Sequence, residues 1–164
     1  MSHILIGVMG PGDAATAEQY QDAYNLGFQV AQAEWVVLTG GRNVGVMDAA
    51  CRGAKAAQGL TIGILPDSEE RRTSPYVDIP IYTGMGHARN VINILSSRVV
   101  VACGMGAGTA SEVAIALKTG KPIILLKPDA ESEAFFYSLG TEHLYSVHQP
   151  EEAIGRIREI LEIA

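Results

Sequence analysis

Residues 98–109, RVVVACGMGAGT, decide how this chain folds. The first half, RVVVAC, is apolar on both sides of the pleat and rich in β-branched residues, so as a strand it needs burial on both faces. A glycine-rich turn follows at once, Gly104-Met105-Gly106-Ala107-Gly108-Thr109. Residues 109–118 then read as a helix, with Gly120 after it as a cap. A doubly buried strand that runs through glycines into a helix belongs to a parallel sheet covered on both sides.

The same unit recurs in both directions along the chain. Upstream, residues 3–9 (HILIGVM), 35–39 (WVVLT), 60–65 (LTIGIL) and 77–82 read as strands; downstream, residues 122–126 (PIILL) and 143–147 do. Between them, residues 16–34, 44–58, 87–97 and 150–163 carry apolar positions at helical spacing. Residues 129–141 fit either a helix or a loop. Residues 66–76 (PDSEERRTSPY) are charged and bounded by prolines, and read as an exposed, mobile loop. The alternation predicts one α/β domain over residues 1–164, doubly wound and Rossmann-like, with a mostly parallel sheet and right-handed crossovers.

Composition narrows the function. A chain of 164 residues with 48% hydrophobic and 18% charged residues can bury a full core without disulfides or metals. A net charge of −6 argues against a nucleic-acid polymer as partner, yet not against a single phosphate, because backbone N–H groups can hold one without basic side chains. The two cysteines, Cys51 and Cys103, form no CxxC pair, and no spacing of His, Cys or carboxylates suggests a structural metal. Residues 1–8 lack a signal-peptide pattern and no run is long enough to span a membrane, so a cytoplasmic location is expected.

Ligands of open α/β sheets sit outside the carboxyl ends of the strands, and the glycines gather there. Gly10 and Gly12 follow the first strand, Gly40, Gly41 and Gly45 the second, and Gly104, Gly106 and Gly108 the strand quoted above. Tight strand-to-helix turns use glycine in any case, but three clusters on one edge point to a site for a phosphorylated small molecule. Neither GxGxxG after the first strand nor GK[ST] is present, so this is neither the dinucleotide fingerprint nor a P-loop.

Three segments carry a family resemblance. Thr39–Met47 (TGGRNVGVM) resembles the GGG…GLM segment of the LOG-like (Lonely Guy, or lysine-decarboxylase-like) proteins. Gly104–Glu112 (GMGAGTASE) resembles their PGGxGTxxE motif, and His87-Ala88-Arg89 the HxR of MHxRK. LOG enzymes cleave the N-glycosidic bond of nucleoside 5′-monophosphates. The resemblance implies that the glycine loops hold the phosphate and that Arg89 and Glu112 match the catalytic arginine and glutamate. The departures are Gly104 for the proline, Met105 for the next glycine, Ser111 for the first glutamate of a GTxEE form, and Asn90 for the lysine after HxR. With them the chain resembles more closely a short branch, the molybdenum cofactor carrier proteins, which store and transfer a pterin bearing a terminal phosphate and a molybdenum centre. That resemblance implies molybdenum cofactor as the bound ligand, molybdenum enzymes as recipients, and a homodimer or homotetramer. The hydrolase remains the second expectation.

The candidate ligand contacts are therefore Gly10, Gly12, Gly40, Gly41, Arg42, Met85, Arg89, Gly104, Met105, Gly106, Ala107, Gly108, Thr109 and Glu112. Thr109 is expected to cap the helix it opens, and Glu112 to fall in that helix's first turn. An arginine fits poorly at a positive helix start, so Arg89 needs an anionic partner, either a ligand phosphate or Glu112. His87 is a cap or a ligand contact. Met47 and Met105 either line an apolar pocket or fill the core, and Cys103 reads as a small core residue. The apolar helix 110–117 is expected to bury in a subunit interface.

Overall fold

The computed structural model describes residues 3–163, which alternate strand and helix as the apolar runs require. The elements are β1 (Leu5–Met9), α1 (Ala17–Gln32), β2 (Val36–Thr39), α2 (Gly45–Ala56), β3 (Thr61–Leu65), β4 (Ile79–Tyr82), α3 (Asn90–Ser96), β5 (Val99–Cys103), α4 (Ala107–Lys118), β6 (Ile123–Leu126), α5 (Ala130–Leu139), β7 (Leu144–Val147) and α6 (Pro150–Ile163). The strands form one seven-stranded sheet in the order β4-β3-β2-β1-β5-β6-β7. Every pairing is parallel, so the Rossmann-like sheet is wholly parallel rather than mostly so. One core joins the sheet to α1, α2 and α6, and a second joins it to α3, α4 and α5. The order reverses between β1 and β5, where Ile6, Gly7, Val8 and Met9 run beside Val99, Val100, Val101 and Ala102. The chain leaves these two strands in opposite directions, opening a crevice above their carboxyl ends.

Local signals set the helix ends. Thr16 accepts from the backbone N–H of Gln19 at 3.2 Å, and the Gln19 side chain accepts from the Thr16 N–H at 3.0 Å, a capping box at the start of α1. Asp129 accepts from the Ser132 N–H at 2.8 Å, which makes a helix of the stretch that sequence left open. The expected helix over 87–97 is two pieces. A single 3-10 turn at Gly86–Arg89 precedes α3, since Met85 offers no side-chain cap and Gly84 and Gly86 both take positive φ.

Helix α4 starts two residues before the expected position. Gly104, at φ 82°, turns the chain sharply off β5, and Gly106 becomes the N-cap in extended conformation. Thr109 is thus the third helical residue rather than the cap, and Glu112 lies in the second turn rather than the first. The 66–76 loop is exposed over residues 68–72 but tethered from Arg72 onward. The Ser74 N–H donates to the Gly41 carbonyl at 2.9 Å, the Asn43 N–H to the Arg72 carbonyl at 2.8 Å, and the Ser74 hydroxyl to Asp48 at 2.7 Å. Strand β4 begins at Ile79, later than expected, because Asp78 spends its groups on Thr61: its N–H donates to Oγ1 at 2.9 Å and its carboxylate accepts from the Thr61 N–H at 3.0 Å.

Helices α1 and α2 meet backbone to backbone through glycines. A Cβ on Gly27 would collide with the Ala50 carbonyl, and one on Gly53 with the Tyr24 carbonyl. Gly27→Ala or Gly53→Ala should therefore cost about 1–3 kcal/mol in urea denaturation, although alanine is the better helix former. Gly155→Ala in α6, where a Cβ meets nothing within 4 Å, should be neutral or stabilising in the same assay.

Candidate functional site

A cavity of about 470 Å³ opens above the switch point. Its floor is backbone: Gly10 and Gly12 after β1, and Gly40 after β2. Gly10 is required, since a Cβ there would run into the Cys103 carbonyl and the Val46 side chain. One wall is the first turns of α4, with Gly108, Thr109 and Glu112. Opposite stand Arg42 and the residues just past β3, Pro66 and Asp67. The 3-10 turn brings Gly86, His87 and Arg89, and Met9 and Met47 add apolar surface.

Of the fourteen candidate ligand contacts read from sequence, Gly10, Gly12, Gly40, Arg42, Arg89, Gly108, Thr109 and Glu112 line this cavity, as do His87 and Met47, which were singled out beside them. Gly41, Met85, Gly104, Met105, Gly106 and Ala107 do not. Gly41 sits behind the wall at φ 78°, where a Cβ would press on Leu65 at 2.9 Å. Gly104 and Met105 border a separate, smaller cavity of about 110 Å³ beside Gln19 and Lys127. Gly106 caps α4, Ala107 is its exposed first residue, and Met85 lies exposed at the head of the 3-10 turn. Sequence reasoning missed Met9, Pro66, Asp67, Gly86 and Asn90. A signal for Pro66 and Asp67 existed, because residues directly after a parallel strand must emerge on the carboxyl edge.

The charges are arranged unequally. Arg42 is committed to Asp67, with Nη2 3.1 Å from Oδ2. Among the described residues, Arg89 has no carboxylate partner. Its Nη1 donates to the side-chain oxygen of Asn90, and its buried Nε has no partner. Burial pulls the Arg89 guanidinium below its usual range and Arg42 adds to this, while Glu112 and Asp67 pull it back. Gly40 makes room for that guanidinium, for a Cβ there would stand 2.7 Å from Nη2. The start of α4 adds N–H groups without intrahelical acceptors, the first helical bond being Ala110 N–H to the Gly106 carbonyl at 2.8 Å.

Glu112 is 6% exposed and accepts from the Asn93 amide at 2.8 Å. Burial pushes its carboxyl above the ordinary range, and the Asn93 bond and Arg89 only partly offset that. Cys103, beneath the glycine turn, is 1% exposed and its thiol is pushed up to about 12 by burial, so it behaves as the core residue expected.

The fold and this cavity define a Rossmann-like protein with a glycine-floored cavity, lined by two arginines, at its switch point. The chain belongs to the SLOG cluster4 family, whose model matches residues 3–154. It is similar to the molybdenum cofactor binding protein of the phototrophic bacterium Rippkaea orientalis, with 53% identity over 98% of this chain and 99% of that one, at a TM-score of 0.96. The molybdenum cofactor carrier protein of Chlamydomonas reinhardtii is 48% identical over 99% of this chain and all of that one, at a TM-score of 0.94. An uncharacterized protein of Archaeoglobus fulgidus is 44% identical over 128 residues, 78% of this chain and 83% of that protein.

A raised carboxyl pKa in the folded state means that the native protein holds the Glu112 proton more tightly than the unfolded chain. The stability this gives is full below the ordinary value of 4.5 and is lost as pH rises through the higher folded value. Glu112→Gln keeps an acceptor for Asn93 without the charge. Its urea midpoint should fall less than that of the wild type between pH 4.5 and 8, and should be the higher of the two at pH 8.

Proposed function

We propose that this chain is a cytoplasmic carrier that binds, shelters and hands on molybdenum cofactor as cargo. The observation that supports the reading most is Arg89. An arginine half-buried in a glycine-floored cavity, with no carboxylate partner and an unpartnered Nε among the described residues, is a cation kept for a ligand anion. The molybdenum cofactor proteins similar to this chain over nearly its full length support molybdenum cofactor as that ligand.

In this reading the terminal phosphate is held by Arg89 and the N–H groups of Gly108 and Thr109, with Arg42 as a second cation. Gly10, Gly12 and Gly40 let the pterin approach the backbone, and Met9 and Met47 pack on its flat ring. Gly41, Gly104, Gly106 and Ala107 act by shaping the loops, Met85 stands at the rim beside Gly86, and Met105 lines the separate smaller cavity. The outward faces of α3 and α4 supply the subunit contact of a homodimer or homotetramer. On α3, Val91 and Leu95 are 43% and 55% exposed, one helical turn apart. Molybdenum enzymes are the recipients.

The second reading, hydrolysis of a nucleoside 5′-monophosphate, is favoured by one observation: Glu112 shares the cavity with Arg89. A carboxylate beside the ribose would stabilise the cation-like transition state or activate water.

One experiment separates the two. Purified protein is incubated with molybdenum cofactor and with AMP, and retained cofactor and released adenine are measured after gel filtration. The carrier reading expects retention, no adenine, and a loss of affinity of about tenfold to a hundredfold in Arg89→Ala. Adenine release that vanishes in Glu112→Ala would make the hydrolase the main activity. For the assembly, Leu95→Glu is expected to shift the mass in light scattering toward the monomer, with the fold retained by circular dichroism.

A further inference from the structure

Arg89 is a long side chain with no ion-pair partner among the described residues, and something must aim it. The structure offers one continuous chain of hydrogen bonds. Arg89 Nη1 donates to Asn90 Oδ1, Asn90 Nδ2 donates to Ser111 Oγ at 2.9 Å, and Ser111 Oγ donates to the Gly108 carbonyl at 2.6 Å. Three side chains, from the 3-10 turn, α3 and α4, thus end on the backbone of the turn that opens α4. Beyond Arg89 itself, none of these bonds involves a full charge.

The direction of the chain is fixed at both ends. An arginine can only donate, and the Ser111 hydroxyl proton is committed to a carbonyl that can only accept. Asn90, 5% exposed between them, therefore has a single workable orientation, oxygen toward Arg89 and amide nitrogen toward Ser111. A flipped amide would set donor against donor at Arg89 and acceptor against acceptor at Ser111. The neutral character of Asn90 matters as much as its geometry, because a carboxylate there would neutralise the guanidinium that the ligand needs.

We infer that Asn90 and Ser111 are positioning residues, which together aim the Arg89 guanidinium at the anion held on the first turn of α4. They are also the two positions where the chain leaves the HxRK and GTxEE patterns, and they depart as a bonded pair. The inference rests on the carrier reading only in requiring a phosphate-bearing ligand at this cavity.

The test measures dissociation constants for molybdenum cofactor, AMP and adenosine with the full-length protein. Asn90→Ala should weaken both phosphate-bearing probes about tenfold, and Ser111→Ala about threefold. The double variant should bind no worse than Asn90→Ala alone, since the two residues act in series. Ser111→Thr, which keeps the hydroxyl, should stay within about twofold of wild type, whereas Asn90→Asp should lose affinity without losing thermal stability. Adenosine binding should not move in any variant, which a general loosening of the fold would not allow. The inference is overturned if Ser111→Ala and Asn90→Ala bind AMP as the wild type does, if AMP and adenosine weaken together, or if the two losses add. Wild-type protein that retains AMP but not cofactor would refute the carrier reading while the positioning role is still decided by the AMP series. Binding of neither probe by wild type would overturn both.

Discussion

Everything above the sheet depends on the absence of a side chain where β1 ends. Strands β1 and β5 lie side by side, and the carbonyl of Cys103 and the side chain of Val46 close on Gly10 from two elements. A methyl group there would push apart the end of β5, the start of α2 and the loop between β1 and α1. The crevice would then lose its floor before any polar residue entered the matter. Gly45 extends the same constraint, since at φ 58° it packs against the carbonyls of Pro11 and Gly12. The polar chemistry of the cavity is hung on a frame of backbone contacts that tolerate no Cβ.

That frame explains why so much of the fold could be read from residue order. Doubly buried strands must be apolar on both faces, so 98–103 and 122–126 announce themselves. The glycine clusters mark the carboxyl edge because close backbone approach has few other solutions. What sequence could not give was set by cooperation between distant residues. The start of α4 moved because Gly104 turns the chain earlier than a side-chain cap at Thr109 would have, and Glu112 moved down a turn with it. The helix expected from residue 87 broke into a 3-10 turn and α3, which is what presents Arg89 to the cavity.

The candidate site was legible in outline and not in its partnerships. Eight of the residues chosen from motifs line the cavity, and they are the ones whose backbone or charge faces the crevice. Those that miss it, such as Gly41 and Gly104, serve the bends that lead there. Nothing local marks Asp67 as the partner of Arg42, 25 residues away, or Asn93 as the residue that holds Glu112. Likewise, Asn90 and Ser111 look like two unrelated departures from a motif until the fold brings α3 beside α4.

The balance of charge at the mouth sets how a ligand arrives. The lining holds Arg42 and Arg89 against Asp67 and Glu112, and the whole chain carries a net charge of −6. An anion approaching from solution meets no positive field to draw it in, so long-range attraction does little to speed encounter. Capture then depends on short-range fit after contact, and salt that screens the repulsion between an anion and a chain of net charge −6 should quicken association rather than slow it. In the carrier reading proposed above, such a site favours receiving its ligand by direct transfer from a donor over collecting it from dilute solution.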